Sequence, residues 1–257
     1  KRAENAENHG KKARKKADFQ GKIERIMREI TLNPPYFLHG GDYNPEQWKR
    51  DKSVWDEDMR LMQKAHCNTA TIGMFSWSEI EKSEGEFDFS VFDEIIARIE
   101  KNGGKVILST PSGARPRWLA EKYPEVLRTE ENGLKRAFGS RQNHCYTSPA
   151  YRERVRIINE ELSKRYGKHP AVIGWHISNE YGGACYCRLC RAAFKKFVQK
   201  RYKTIENLNE QYWAAFWSHT YTSFDQIDPP GATGDTDMHA LTLDWHRFVS
   251  AQTLDFM

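Results

Sequence analysis

Hydrophobic and polar positions follow two alternating periodicities from about residue 34 onward. Short apolar or β-branched runs predict strands, and longer segments with apolar residues at helical spacing predict helices. The predicted strands are residues 36–40, 68–76, 105–111 and 171–178. The predicted helices are residues 54–66, 91–100, 151–166, 191–202 and 241–257.

Strands that alternate with helices and are themselves almost continuously apolar indicate an α/β protein with a parallel sheet. Such a sheet closes either as a doubly wound fold or as a (β/α)8 TIM barrel. No GxGxxG or P-loop follows any predicted strand, which weighs against a nucleotide-binding sheet. Polar side chains follow the strand ends instead, as they do around the mouth of a barrel. They are Asp42, Tyr43, Asn44, Trp77, residues 115–118, Asn179 and Glu180. We therefore predict that residues 34–257 are the N-terminal part of a (β/α)8 barrel, with about its first four to five βα units.

The net charge of +5 comes from one end of the chain. The first thirty residues hold ten basic and five acidic side chains, so the remainder is neutral. We predict a basic, flexible or helical extension over residues 1–33. The neutral remainder argues against a nucleic-acid partner. No apolar run approaches the roughly 20 residues of a membrane span, and no secretory leader is visible, so we expect no membrane partner and a cytoplasmic location.

The five cysteines do not form the even set that is typical of a disulfide framework. Cys185, Cys187 and Cys190 form a C-x-C-x2-C motif, and Cys145 is the natural fourth ligand. Four thiolates predict a tetrahedral structural Zn2+ site, which leaves no ligand position open for a catalytic water. This metal would join the loop after the fourth strand to the loop after the third. Cys67 is expected to be a small buried hydrophobic residue.

Glu180 is the first candidate for chemistry. It follows an apolar strand directly and is preceded by Asn179. A glutamate at the rim of a barrel is able to donate a proton to a leaving oxygen and then take one from water. An asparagine amide beside it is able to bind a sugar hydroxyl. An isolated Asn-Glu pair is more often a polar strand end before a loop, so the residues around it decide between the two interpretations.

The residues around this pair carry a resemblance to a known family. The chain reads GWHISNEYGGACYCRLC over residues 174–190. Other motifs are DYNPEQW (42–48), NTATIGMFSW (68–77), EGEFDF (84–89), TPSGARPRWL (110–119), YPEVL (123–127), SRQNHCYTSP (140–149) and LNEQYWAAFWSHTY (208–221). In this order, from about residue 36 to residue 257, they resemble glycoside hydrolase family 42.

The resemblance implies a retaining β-galactosidase. It makes Glu180 the general acid/base, places Asn179 against the sugar, and places Arg141, four residues before Cys145, in the subsite of the cleaved sugar. It implies the structural zinc on the four cysteines, and a homotrimer for the full-length protein. The nucleophile of the family is a second glutamate near the end of the seventh barrel strand, which is expected beyond Met257. Hydrolysis with retention of the anomeric configuration needs two carboxyl groups roughly 5–5.5 Å apart. Since only one of the two is expected within these 257 residues, we expect them alone to be inactive.

The sugar that the site accepts stays open at this point. Thr71 stands where some family members carry a sugar-contacting arginine, and an α-L-arabinopyranosidase or another β-glycosidase would use the same barrel. Trp217 is the best aromatic candidate for a sugar platform. A non-enzymatic alternative is a four-cysteine zinc module that binds nucleic acid through a basic arm, and it predicts affinity that falls steeply with salt. A truncated gene product without activity is a further possibility.

Overall fold

The computed structural model describes residues 36–231 and 237–257, and the predicted extension over residues 1–33 lies outside them. Its strands are β1 (Gly40–Tyr43), β2 (Thr69–Ile72), β3 (Glu81–Ser83), β4 (Glu86–Phe87), β5 (Lys105–Ser109) and β6 (Val172–His176). Its α-helices are α1 (Lys52–Lys64), α2 (Trp77–Ile80), α3 (Ser90–Lys101), α4 (Arg117–Lys122), α5 (Pro149–Tyr166), α6 (Arg188–Tyr202), α7 (Ile205–Tyr212) and α8 (His239–Phe256).

Four of the strands form one parallel sheet in the order β1-β2-β5-β6. The order follows the chain, as it does when successive βα units are laid side by side in a barrel. Ala70 pairs with Val106, and Leu108 pairs with Trp175. The predicted α/β class and parallel sheet are confirmed. The antiparallel hairpin β3–β4 was not predicted, because its strands have only three and two residues.

The first strand was predicted at the wrong place. It was expected over residues 36–40, but β1 begins at Gly40 and continues to Tyr43. Before β1, at residues 37–39, the Asn68 side chain takes the place of a neighbouring strand. Its amide donates to the Phe37 carbonyl at 2.8 Å, and its oxygen accepts from the His39 N–H at 2.8 Å. Asp42 is consequently part of the strand and not of the loop that follows it.

The other three strands end earlier than predicted, which lengthens the loops at their carboxyl ends. After β2 the chain turns at Gly73, whose φ of 87° is readily adopted only by glycine. After β5, Pro111 has no N–H for the ladder and begins a 3-10 turn at Pro111–Gly113. After β6 the Ser178 N–H turns away from the sheet to donate to the Thr110 hydroxyl at 2.7 Å. The candidate site is built from these loops.

The predicted helices are confirmed to within three residues at each end. Helix α5 begins at a Ser-Pro sequence, where the Ser148 hydroxyl accepts from the Tyr151 N–H and Pro149 occupies the first turn. Helices α4 and α7 are short and were not predicted. Within the described ranges, no helix combines the length and the apolar character that crossing a membrane requires.

The buried side chains form two clusters. The first joins the sheet to α1, α3 and α5, with Trp55, Ile72, Ile95, Leu108 and Ile158 at its centre. The second lies between α6, α7 and α8 and contains aromatic side chains together with three of the cysteines. Its largest members are Phe194, Trp245 and Phe248. The loop that carries Glu180 connects strand β6, at the edge of the first cluster, to helix α6, which belongs to the second cluster.

Candidate active site and metal centre

The loop after β6 has an unusual backbone. Ser178 and Glu180 have φ values of 54° and 44°, in the left-handed region that non-glycine residues rarely adopt. Such conformations persist only where surrounding contacts impose them, and they concentrate at functional sites. Here Ser178 is buried and held by Thr110, so the chain turns sharply and carries Glu180 outward beyond the carboxyl end of the sheet.

Arg141 and Glu180, two of the predicted site residues, meet at this edge. An Arg141 Nη2 lies 2.8 Å from a Glu180 carboxylate oxygen, and the two side chains are 50% and 62% exposed. The Arg141 guanidinium also lies 5.7 Å from the centroid of the Phe75 ring, which belongs to the loop after β2. Three loops, each from a different βα unit, therefore converge on one exposed ion pair.

Asn179 is held in place through a hydrogen bond to its backbone carbonyl. Its carbonyl accepts a hydrogen bond from the Gln142 side-chain amide, and the Gln142 N–H donates to the Gly113 carbonyl at 2.9 Å. Asn179, Glu180 and Arg141 are thus brought together by Gln142, which sequence reasoning missed. Its position directly after Arg141 within SRQNHCYTSP was the signal available.

A buried tyrosine lies beneath these residues. The Tyr146 hydroxyl donates to the Gln142 side-chain oxygen at 3.0 Å and accepts from the Gly182 N–H at 3.2 Å. Burial raises the pKa of this hydroxyl above its ordinary value, so it stays a neutral donor. Tyr146 therefore links the Arg141 loop to the Glu180 loop from below. The sequence placed it only as the neighbour of Cys145.

Trp217 is not brought to the other predicted site residues in this structure. Its side chain is 67% exposed, its ring stacks on Phe216 with 5.2 Å between centroids, and it meets His219 edge-on. Trp213 and Phe216 are also exposed, and Trp217 has a left-handed φ of 52°. Among the described residues, its ring contacts stay within this segment. A role for Trp217 in sugar binding stays a prediction.

The four predicted zinc ligands come together. The sulfur atoms of Cys145, Cys185, Cys187 and Cys190 all lie within 4.8 Å of one another. The Cys145 sulfur is 3.4 Å from that of Cys190 and 3.6 Å from that of Cys187. Thiolates about 2.3 Å from a tetrahedral zinc lie roughly 3.8 Å apart, whereas a disulfide has a length of about 2.05 Å. The spacing therefore fits a shared ion, and none of the four is oxidised to a disulfide.

One backbone contact at the cluster also suits a metal-bound thiolate. The backbone N–H of Thr129 points at the Cys185 sulfur at 3.4 Å, the kind of outer contact that stabilises a metal-bound thiolate. Hydrogen bonds among the four thiols lower the pKa of Cys185 and Cys187 and raise the pKa of Cys145 and Cys190, so without a metal the cluster shares its protons. Cys67, the cysteine outside the cluster, was expected to be fully buried, but it is only half-buried.

Comparison with known proteins identifies the family. Residues 42–257 match glycoside hydrolase family 42, described as beta-galactosidase, and the chain belongs to this family. It is 54% identical over 227 residues to beta-galactosidase BglY of Alicyclobacillus acidocaldarius, covering 88% of this chain and 33% of BglY. It is 53% identical over 228 residues to beta-galactosidase Pbg of Clostridium perfringens, again covering 88% of this chain and 33% of the relative.

Solved structures agree on the fold. The beta-galactosidase from Rahnella sp. R3 superposes with a TM-score of 0.86 at 46% identity, covering 88% of this chain and 33% of that structure. A catalytic mutant of the GH42 beta-galactosidase Gan42B from G. stearothermophilus, in which a glutamate is replaced by alanine, gives a TM-score of 0.85 at 48% identity over 87% of this chain and 33% of that structure. The chain thus spans about a third of the length of these relatives and forms part of their barrel.

Proposed function

We propose that this chain is the part of a retaining β-galactosidase that supplies the general acid/base, Glu180. The observation that carries the proposal is the Arg141–Glu180 pair at the carboxyl end of the parallel sheet, where barrel enzymes build their sites. The β-galactosidases that the chain resembles support the substrate class, a terminal β-D-galactoside.

The proposed reaction is a double displacement. Glu180 protonates the glycosidic oxygen while a second glutamate, from sequence beyond Met257, attacks the anomeric carbon and forms a glycosyl-enzyme. Glu180 then takes a proton from the water that releases the sugar. Its exposed side chain on a fixed backbone suits this double role, because both the leaving group and the water must reach it from solvent. Without the second carboxylate, the 257 residues alone are expected to be inactive.

Arg141 and Asn179 are proposed to bind the galactosyl unit. Arg141 uses one nitrogen on Glu180, and a guanidinium has five N–H groups in all, so donors are left for sugar hydroxyls. Asn179 has its backbone carbonyl held by Gln142, which leaves its side-chain amide for the substrate. The exposed ring of Trp217 would pack on an apolar face of the sugar. This requires the segment around Trp217 to approach Arg141 and Asn179.

Structural zinc is proposed for the four-cysteine cluster. When bound, the ion would supply tetrahedral cross-linking and no chemistry on the substrate, because four thiolates fill its coordination sphere. Cys145 lies four residues after Arg141, and Cys185 lies five residues after Glu180. The cluster therefore joins the two loops that carry the candidate site. A homotrimer for the full-length protein stays a prediction.

The test uses the protein that continues beyond Met257, assayed with nitrophenyl β-D-galactoside and with lactose. We expect Glu180→Ala to lose about 10²–10⁴-fold in turnover of lactose, whose poor leaving group needs a proton. The loss should be much smaller with an activated dinitrophenyl leaving group, and added azide should restore turnover and give a β-galactosyl azide. Glu121→Ala, an exposed glutamate on α4, is the matched control and should behave as wild type.

Two outcomes would overturn the assignment. Glu180→Ala with wild-type turnover of lactose would remove Glu180 from the chemistry. An α-galactosyl azide would show that Glu180 acts as the nucleophile and not as the acid/base. Cleavage of aryl α-L-arabinopyranosides in preference to β-galactosides would keep the mechanism and change the sugar.

A further inference from the structure

One buried arginine near the candidate site has guanidinium nitrogens without a partner in the described part of the chain. Arg115 lies between the 3-10 turn at Pro111–Gly113 and helix α4, and it is 5% exposed. Its Nε and Nη2 are buried and have no hydrogen-bond partner among the described residues. The ring of Phe138, 5.7 Å from the guanidinium, covers it but accepts no conventional hydrogen bond. Buried charges in proteins are normally paired, because leaving one unpaired is costly.

The surroundings add positive charge and not negative charge. Arg128, also buried, donates to two backbone carbonyls: that of Gly182 at 2.8 Å and that of His144 at 3.4 Å. Over residues 36–231 and 237–257, no carboxylate forms an ion pair with either arginine. Burial, with a contribution from Arg128, lowers the pKa of Arg115 to about 10, so it is still a cation at neutral pH.

The unpartnered atoms have a defined geometry. Nε and Nη2 lie along one edge of the planar guanidinium, the edge whose two parallel N–H groups grip an anion as a fork. The adjacent His144 ring is also buried, stacks on Tyr151 at 4.3 Å, and has an Nδ1 without a partner in the described part of the chain. A water molecule would satisfy one or two of these atoms, but it would leave the charge of Arg115 uncompensated.

We infer that Arg115 binds a small monovalent anion of the halide class through its Nε–H and Nη2–H groups. Because the side chain is only 5% exposed, an anion small enough to be enclosed with it fits better than a phosphate ester, a sugar acid or a peptide carboxylate. One negative charge offsets the cation of Arg115 and reduces its repulsion with Arg128. Arg128 in turn bonds the Gly182 carbonyl, two residues after Glu180, so the anion stabilises the floor of the candidate site.

The experiment measures thermal unfolding of the intact protein in sodium chloride, sodium bromide and sodium gluconate at constant ionic strength. Both halides should raise the midpoint by about 2–4 °C over gluconate once their concentration exceeds the dissociation constant about fivefold. Arg115→Gln should remove this halide-specific rise. Arg117→Gln should keep it, because Arg117 is exposed and packs over the same Phe138 ring at 4.5 Å. Equal midpoints for the wild type in all three salts would overturn the inference.

Crystals of the wild-type protein soaked in bromide give a second readout that does not depend on how the variant folds. An anomalous peak in contact with Nε and Nη2 of Arg115 is expected. A water at that position, or a carboxylate from a part of the protein outside the described residues, would refute the anion site. A bromide peak without a halide-specific shift in the unfolding midpoint would mean an adventitious ion only, and would equally refute it.

Discussion

The two layers of the candidate site are held in opposite ways. In the upper layer, the side chains of Arg141 and Glu180 face solvent and touch only through one exposed ion pair. In the lower layer, Tyr146 and Cys145 are buried, and each contacts groups from more than one loop. Exposed ion pairs typically contribute about 0–1 kcal/mol to stability, whereas leaving a buried polar group unpaired costs about 1–3 kcal/mol.

This difference separates two requirements of catalysis. The lower layer fixes where the backbone of Glu180 lies, including its left-handed φ. The upper layer leaves the carboxylate accessible, so a substrate and a second carboxylate are able to change its partners during the reaction. We expect substitutions in the lower layer to reduce stability, and substitutions in the upper layer to reduce activity at nearly constant stability.

Removing the proposed metal from the lower layer should have the largest effect on stability. Chelation, or the substitution Cys145→Ser, should lower the free energy of unfolding by about 4 kcal/mol where zinc had exceeded its dissociation constant a thousandfold. The measurement is unfolding by denaturant, together with the zinc content of the purified protein by mass spectrometry.

Cys67→Ser is the matched control, because Cys67 is a free cysteine outside the cluster. It should keep one zinc per chain and most of the stability. A wild-type protein purified without metal, and indifferent to a chelator, would contradict the proposed zinc and with it the strongest cross-link that we propose for the lower layer.

Gly183→Ala tests how tightly the lower layer holds the loop. Gly183 has a φ of 80°, and a Cβ there would lie 1.9 Å from Nη1 of Arg128. A left-handed alanine costs about 1–2 kcal/mol, and displacing a buried guanidinium from the Gly182 carbonyl adds a similar amount. We expect a total loss of about 2–4 kcal/mol in thermal or denaturant unfolding.

Gly133→Ala separates these two contributions. Gly133 has nearly the same φ, 82°, with nothing within 4 Å of the added Cβ. It should show the backbone cost alone. If the two variants lose equal stability, Arg128 moves aside freely and the loop is not held by it.

The sequence predicted the elements of the fold better than the connections between loops. Periodicity identified the sheet strands and the long helices, because burial of whole faces imposes it. It misplaced the first strand, since Asn68 satisfies the backbone around residues 37–39 in a way that no hydrophobic pattern records. Strands and helices of two to eight residues, such as β3, β4, α4 and α7, are too short to show a period.

The residues of the candidate site also fall into those that the sequence singled out and those that it missed. Glu180, Asn179 and the four cysteines were singled out by residue type and position, whereas Arg141 was singled out by the resemblance to glycoside hydrolase family 42, and their roles stay predictions. The roles of Gln142 and Tyr146 were missed, because both bond to the loop after β6, 37 and 36 residues further along the chain. Arg115 was noted only as a polar residue after a strand, and its Nε and Nη2 have no hydrogen-bond partner among the described residues. Their roles depend on which loops meet in space, and one sequence without an alignment contains no direct record of that.

Tyr146→Phe removes one hydroxyl from the lower layer and should have an intermediate effect. The Gln142 side-chain oxygen and the Gly182 N–H lose their partner, so stability should fall by about 1–2 kcal/mol. Because these groups hold Asn179 and the Glu180 loop, turnover of the full-length protein should fall as well. Tyr123→Phe, which removes a hydroxyl that donates to Glu84 at 3.0 Å, should lose some stability and no turnover. Parallel losses of turnover in both variants would mean that the effect is general.

Arg141→Met in the upper layer should have the smallest effect on stability and a clear effect on activity. The pair with Glu180 is at least half exposed on both sides, so its loss should change the free energy of unfolding by no more than about 0.5 kcal/mol. Turnover of β-galactosides should fall by about 10–100-fold, since a hydrogen bond to a charged group contributes about 1.5–3 kcal/mol.

Arg60→Met is the control for this last substitution, because Arg60 forms a similarly exposed pair with Glu57 at 2.6 Å on the α1 helix. Both variants should unfold with nearly wild-type midpoints, and only Arg141→Met should lose activity. A stability loss above about 1.5 kcal/mol for Arg141→Met would exceed what an exposed pair contributes. Arg141 would then be holding the loop and not serving the substrate, and the two layers would not differ in the way that their burial indicates.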